Sequence, residues 1–233
     1  MDEILRQGLE VMGLAACIDQ QARARLLSYI QELKKWNRKI NLIARQADDL
    51  QIIEKHFLDS LTLLPQLRSW YGSGEGPLRC ALLDIGTGAG FPGLVLKAAC
   101  PDLEVTLVEP REKRVSFLKN IIRILQFDAI EVVAGRIDSD RKYPAGLKQG
   151  GYDLITSRAL TDIAAFLKMA APFLSPGGRV VCMKGPQGLG EAKAYQTAGG
   201  REGWILLEIS QWLLPFSGSR RYLVSFGAQP VTG

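Results

Sequence analysis

One short segment limits the folds open to this chain more than any other. Leu82-Leu83-Asp84-Ile85 reads as a strand, and Gly86-Thr87-Gly88-Ala89-Gly90-Phe91-Pro92-Gly93 follows it directly into a helical stretch. Glycines in that setting let the backbone turn sharply and approach a ligand that any Cβ would push away. A strand, a tight turn and a helix in this order belong to doubly wound α/β proteins, whose ligands sit at the carboxyl ends of the strands. Two parses of the turn are possible. Gly88, Gly90 and Gly93 satisfy the GxGxxG spacing of dinucleotide-binding domains, whereas Asp84, Gly86, Gly88 and Gly90 satisfy an acid-x-Gly-x-Gly-x-Gly spacing, and spacing alone does not choose.

The rest of the chain agrees with an α/β architecture. Cys80 to Asp84, Glu104 to Glu109, Ile130 to Ala134, Asp153 to Thr156 and Arg179 to Met183 are short β-rich runs. Helical patterns at Gly93 to Ala99, Lys113 to Leu125 and Ile163 to Leu174 lie between them, and Ser175-Pro176-Gly177-Gly178 reads as a stop before the fifth strand. That alternation requires crossover connections and hence a parallel sheet. Trp204 to Leu214 and Arg221 to Phe226 are joined by too few residues for a crossover helix, so they are expected to pair antiparallel. The result is a mostly parallel seven-stranded sheet ending in an antiparallel hairpin. From Leu5 to about Leu64 the pattern is helical, and the glycines and serine between Trp70 and Pro77 read as a linker. Residues 1–70 are therefore expected to form a helical extension, and 78–233 the ligand-binding domain.

Chemistry separates the two parses. A pyrophosphate wants free N–H groups at a helix N-terminus, and Pro92 removes one there. Adenosylmethionine has no phosphate; it carries an ammonium and a sulfonium, which make a carboxylate such as Asp84 useful. Glu109, at the end of the second strand, is placed to accept hydrogen bonds from ribose hydroxyls of either ligand. After the third strand, Ile137 and Asp138 are candidates to pack on an adenine and to accept from its amine. Arg158, closing the fourth strand, is a candidate to hold the methionine carboxylate or an RNA phosphate, with a plain surface ion pair as the alternative.

The net charge of +5 permits an anionic partner without demanding one. Its distribution says more: Lys34, Lys35, Arg38 and Lys39 project from the side of a helix opposite the apolar stripe of Leu26, Tyr29, Ile30, Leu33, Trp36 and Ile40, with Arg45 nearby and a single Glu32 against them. These five residues are the candidate grip on RNA phosphates. Four cysteines without a CxxC pair and one histidine argue for reduced thiols and against a metal site. No apolar run approaches the roughly 18 residues that cross a bilayer, so a cytoplasmic protein without a membrane partner is expected.

Taken together the residues resemble the bacterial RsmG (GidB) small-subunit ribosomal RNA methyltransferases. The resemblance runs through Trp36-Asn37-Arg38-Lys39-Ile40-Asn41-Leu42, His56-Phe57-Leu58-Asp59-Ser60-Leu61, the glycine turn, Lys113-Arg114-Val115-Ser116-Phe117-Leu118, Ser157-Arg158-Ala159 and Met183-Lys184-Gly185. It implies a class I, Rossmann-like fold that takes a methyl group from S-adenosylmethionine to N7 of a guanine in 16S rRNA near the decoding site. It also implies cofactor contacts at Gly86, Phe91, Ile137, Asp138 and Arg158, to which the residue reading adds Asp84, Gly88 and Glu109. Relatives often carry aspartate where this chain has Glu109. The expected partner is 16S rRNA or the small ribosomal subunit, met by a monomer.

Guanine N7 has a free in-plane lone pair and no proton, so attack on an activated methyl needs alignment more than acid or base work. No catalytic proton abstractor is therefore assigned, and His56 is read as structural. The fourth strand lacks the Asn/Asp-Pro-Pro-aromatic run of amino-group methylases, and Cys182, inside the fifth strand, reads as core rather than nucleophile. An NAD-type oxidoreductase and a cofactor-binding protein without turnover are the competing classes.

Overall fold

The computed structural model describes every residue except 73–76, 139–142, 159, 198–202 and 230–233. Ser73, Gly74 and Gly76 of the expected linker thus lie outside the described residues, as does Ala159. The chain begins with helices: α1 (Asp2–Val11), a 3-10 turn (Ala15–Cys17), α2 (Gln20–Asn37), α3 (Asp49–Ile52), a π-helical segment (Ile53–Leu58), α4 (Asp59–Leu61) and α5 (Leu64–Tyr71). Asp19 caps α2 by accepting from Ala22 N, and Asp48 caps α3 by accepting from Gln51 N, each satisfying a donor that the helix leaves open.

Strands β1 (Ala81–Ile85), β2 (Glu104–Glu109), β3 (Ile130–Ala134), β4 (Tyr152–Arg158), β5 (Leu174–Lys184), β6 (Trp204–Leu213) and β7 (Arg220–Ala228) form one sheet in the order β3-β2-β1-β4-β5-β7-β6. The first five pair parallel; β7 runs antiparallel to both β5 and β6, as the short connection requires. Helices α6 (Gly93–Ala99), α7 (Glu112–Ile124), α8 (Ile163–Ala170) and α9 (Gly188–Thr197) cover the two faces.

Strand alternation divides the core. Leu82, Leu107, Leu154, Val181 and Leu223 point to the face that packs on α6, α7 and the N-terminal helices, while Leu83, Val108, Ile155, Val180 and Val224 point to the face covered by α8 and α9. Leu26, Tyr29, Ile30 and Leu33 of α2 join the first of these cores, each contributing roughly 1.5–3 kcal/mol by leaving water. Glu54, buried in the π-helical segment, accepts from Phe216 N and Ser217 N at 2.7 Å each and so fastens the turn between β6 and β7 to the N-terminal helices.

One boundary differs from the sequence reading. Helix α8 ends at Ala170, and β5 begins at Leu174, running through the Ser175-Pro176-Gly177-Gly178 stretch that reads as a stop. The β4–β5 pairing shifts register between Tyr152 and Leu154, and a Cβ on Gly178 would lie 2.9 Å from Asp153 O. Glycine here marks a bulge where two backbones meet closely, not the end of an element.

Candidate active site

Gly86, Gly88 and Gly90 have φ of +74°, +64° and +98°, a region that side chains disfavour. Gly93 has ordinary φ, but a Cβ there would meet Leu107 Cδ2 at 2.6 Å and Asp84 at 3.0 Å, so it serves close packing of α6 on the sheet. The acid-x-Gly-x-Gly-x-Gly parse therefore describes the turn's backbone. Gly90 carries a second duty: its missing Cβ would sit 2.4 Å from the Tyr29 hydroxyl, which donates to Ala89 O. Over Gly86 lies Leu160, whose Cδ1 would be 2.8 Å from an added Cβ.

Asp84 sits behind the turn, fully buried. Its Oδ2 accepts from Thr87 Oγ1 at 2.6 Å and from Gly93 N at 2.8 Å, bracing both ends of the turn. Its Oδ1 is buried with no hydrogen-bond partner among the described residues. An acceptor left open at this depth suits a ligand that brings donors or positive charge, such as an ammonium, and suits a phosphate poorly. Burial pushes the carboxyl from 3.8 up to about 6, against the two hydrogen bonds and Arg158, which pull it down.

That shift makes a pH prediction. The folded pKa lies above the unfolded one, so folding favours the protonated form; the contribution is fully present below about pH 4 and is lost as pH rises through about 6. The loss is on the order of 3 kcal/mol at most. Asp84→Asn should flatten this part of the stability profile in urea melts from pH 4 to 7 while weakening adenosylmethionine binding about tenfold or more. A variant that keeps the slope would show that another group produces it.

Glu109 is buried at the end of β2, where Oε2 accepts from Gly88 N at 3.0 Å and Oε1 from Arg111 N at 2.9 Å; Arg114 Nη1 is 3.8 Å from Oε2. Ile137 is buried within the core cluster on the α8 side, and Asp138 is exposed beside it. Phe91 is buried at the end of the turn, its ring stacked on His56 at 4.9 Å and 17°.

Arg158, a candidate to hold an anion or to form a surface ion pair, is largely buried, and it meets the N-terminal helices through an ion pair and further contacts. Nη1 donates to Lys55 O at 2.6 Å and to Asp59 Oδ2 at 3.2 Å, Nη2 lies 3.0 Å from His56 Nδ1, and the guanidinium carbon is 5.0 Å from the Phe91 ring centre. Asp59 Oδ2 also takes Arg221 Nε at 3.1 Å. The π-helical segment supplies a carbonyl and an imidazole, and the first residue of α4 a carboxylate, within reach of one guanidinium, in keeping with the frequent use of such turns at functional sites. Burial first, then Arg158 and Lys55, lower the His56 pKa to about 3. Lys184, at the end of β5, donates to Thr161 O at 2.6 Å and pairs with Glu191 at 3.0 Å, holding the loop after β4.

His56, Asp59, Lys184 and Arg221 are the residues that sequence reasoning left out of the site. The first three lie in segments that carry the resemblance, a signal that was present; Arg221, on a strand of mixed character, offered none. Cys182 is core, as expected, its thiol pushed up to about 12 by burial.

The basic residues divide. Lys34 pairs with Asp49, and Lys35 with Glu32, the one acid that the sequence places beside the basic residues. Lys34, Arg38 and Arg45 line an open cleft of about 360 Å³. Lys39 and Arg45 line a second, of about 430 Å³, together with Arg111, Lys113 and Arg114 at the start of α7. Among the described residues no group of three or more His, Cys, Asp and Glu is placed to hold a metal ion, and no helix is long and apolar enough to cross a membrane.

The family model described as rRNA small subunit methyltransferase G (GidB) matches residues 22–213. A relative named ribosomal RNA small subunit methyltransferase G in Desulfotalea psychrophila is 45% identical over 223 residues, covering 94% of this chain and 95% of that protein. One of the same name in Geobacter sp. strain M21 is 37% identical over 226 residues, covering 97% and 96%. Among solved structures, a SAM-dependent methyltransferase from Aquifex aeolicus superposes with a TM-score of 0.55 at 16% identity, covering 85% of this chain and 97% of that one, a likeness of fold. On the family match and on these identities the chain belongs to the rRNA small subunit methyltransferase G family.

Proposed function

We propose that this protein transfers a methyl group from S-adenosylmethionine to N7 of a guanine in 16S rRNA near the decoding site. The observation that carries the reading is the open Asp84 Oδ1 beneath a glycine turn, in a chain of this family. Gly86, Gly88, Glu109, Phe91, Ile137, Asp138 and Arg158 complete the donor site, with residues 78–233 as the catalytic unit and 1–70 as the extension that helps to grip RNA. When bound, adenosylmethionine would supply a methyl on a cationic sulfur, a group open to attack by the N7 lone pair with sulfur as the leaving atom.

The chain's own part is alignment and exclusion of water. Asp84 and Glu109 fix the turn from two strands, and Arg158 fixes the N-terminal helices against the strand end. With no proton to remove from N7, the reaction is served without a general base or a metal. The protein is proposed to act in the cytosol, where small subunits are found, as a monomer.

Transfer of labelled methyl to small subunits lacking the modification, followed by mapping of the labelled nucleotide, tests this. Label at guanine N7 is expected; absence of transfer, or calorimetric binding of NAD in place of adenosylmethionine, would overturn it. For docking, Lys39, Arg45, Arg111 and Lys113 extend the basic surface of Lys34, Lys35 and Arg38 from α2 onto α7. The double change Lys39→Ala with Lys113→Ala should weaken RNA binding and reduce its log–log salt slope by about two. An unchanged slope would place the phosphates elsewhere.

A further inference from the structure

Beyond the donor site, an open cleft of about 400 Å³ lies at the carboxyl ends of β4 and β5, walled by Lys55, His56, Asp59, Arg158, Lys184 and Arg221. Its volume is within the roughly 300–1,000 Å³ range of small-ligand sites. Its place follows from topology: in the order β3-β2-β1-β4-β5 the chain reverses direction across the sheet between β1 and β4, and ligands gather outside the strand ends at such a point. Gly86, Gly88 and Glu109 occupy the β1–β2 side of it. The cleft occupies the β4–β5 side, and Phe91, at the end of the glycine turn, stacks on His56 of the cleft wall.

Most polar groups on the wall are already engaged. Asp59 holds Arg158 and Arg221, and Lys184 is tied to Thr161 O and Glu191. His56 is different. An arginine in a protein keeps its protons, so the Arg158 contact at 3.0 Å makes Nδ1 an acceptor and leaves the ring proton on Nε2. Nε2 has no hydrogen-bond partner among the described residues, and it is not one of the buried orphans. It is a fixed, uncharged donor on the wall of the cleft.

Guanine presents two acceptors side by side on its major-groove edge, N7 and O6, whereas adenine presents the N7 acceptor beside an amine donor. We infer that this cleft seats the target purine and that His56, through Nε2–H, reads O6 and so selects guanine over adenine; the inference rests on the methyl-transfer reading above. A neutral donor fits the chemistry as well. Positive charge passes onto the purine during transfer, and a protonated imidazole beside it would oppose that change. Burial, Arg158 and Lys55 keep the ring neutral at working pH.

The test uses the full chain and small subunits whose target guanosine is replaced by inosine, which keeps O6 and N7, or by 2-aminopurine, which keeps N7 and lacks O6. The wild type should methylate the 2-aminopurine subunit about tenfold less efficiently, by kcat/KM, than the inosine one, as expected for one lost hydrogen bond. His56→Phe should keep adenosylmethionine affinity and lose that preference, and His56→Gln, whose amide also donates, should regain part of it. Equal efficiency of the wild type on the two subunits, or an undiminished preference in a His56→Phe variant that still binds donor, overturns the role of His56 while leaving the methyl-transfer reading intact. No transfer to any subunit, the guanosine one included, overturns both.

Discussion

Arg158→Lys should lower methyl transfer about a hundredfold, although the charge is kept. The guanidinium meets a carbonyl, an imidazole nitrogen and a carboxylate from two nitrogens while lying near the Phe91 ring. An ammonium on a flexible stem can replace one of these contacts, not the planar set. His56 would then lose the donor that fixes its tautomer, and Asp59, nearly buried, would rely on Arg221 alone. Breaking a fully buried pair costs about 3–5 kcal/mol. Arg158 retains 19% side-chain exposure, so a loss of about 2 kcal/mol is the better expectation. Single-turnover transfer together with urea midpoints separates the two effects. A variant of normal rate would reduce Arg158 to a counter-charge and detach the π-helical segment from the chemistry.

The features legible in sequence are those with short-range causes. Glu104–Glu109, Ile130–Ala134 and Gly93–Ala99 stand where the β-rich runs and the turn placed them, because each is bounded by its own punctuation. The antiparallel hairpin followed from the length of its connection. What escaped notice depends on partners far along the chain. Ile53–Leu58 has ordinary helical periodicity, and nothing local reveals the π turn that aims His56 and Asp59 at an arginine about a hundred residues later. The partner of Lys34, Asp49, is not legible beside it because it is on another helix. Pro176, Gly177 and Gly178 are ordinary breakers until β4 supplies the backbone that Gly178 must approach. The glycines of the turn after β1 were legible as a group, but not their separate duties.

Those duties give the last expected result: Gly90→Ala should destabilise the fold by about 4–6 kcal/mol, and Gly86→Ala by about 1–2. Both residues have positive φ, so backbone strain alone gives similar costs. The neighbours decide. At Gly86 the new methyl meets Leu160, a side chain 40% exposed whose far end can swing away. At Gly90 it meets the Tyr29 hydroxyl at 2.4 Å and Leu94 Cβ at 2.8 Å. Leu94 Cβ moves only if α6 moves. Tyr29 is fully buried, donates to Ala89 O and packs against Phe57, Phe91 and Phe117. Relief therefore requires α2 to part from the turn, a cost comparable with the roughly 5–15 kcal/mol that stabilises a whole domain. Gly86→Ala should instead remain folded and lose adenosylmethionine affinity. Tyr29→Phe, which removes the nearest clashing atom, should recover part of the Gly90→Ala loss in the double variant. Urea midpoints of the two single variants decide the matter: equal values would mean that the third glycine of the turn serves the ligand and that the N-terminal helices do not depend on it.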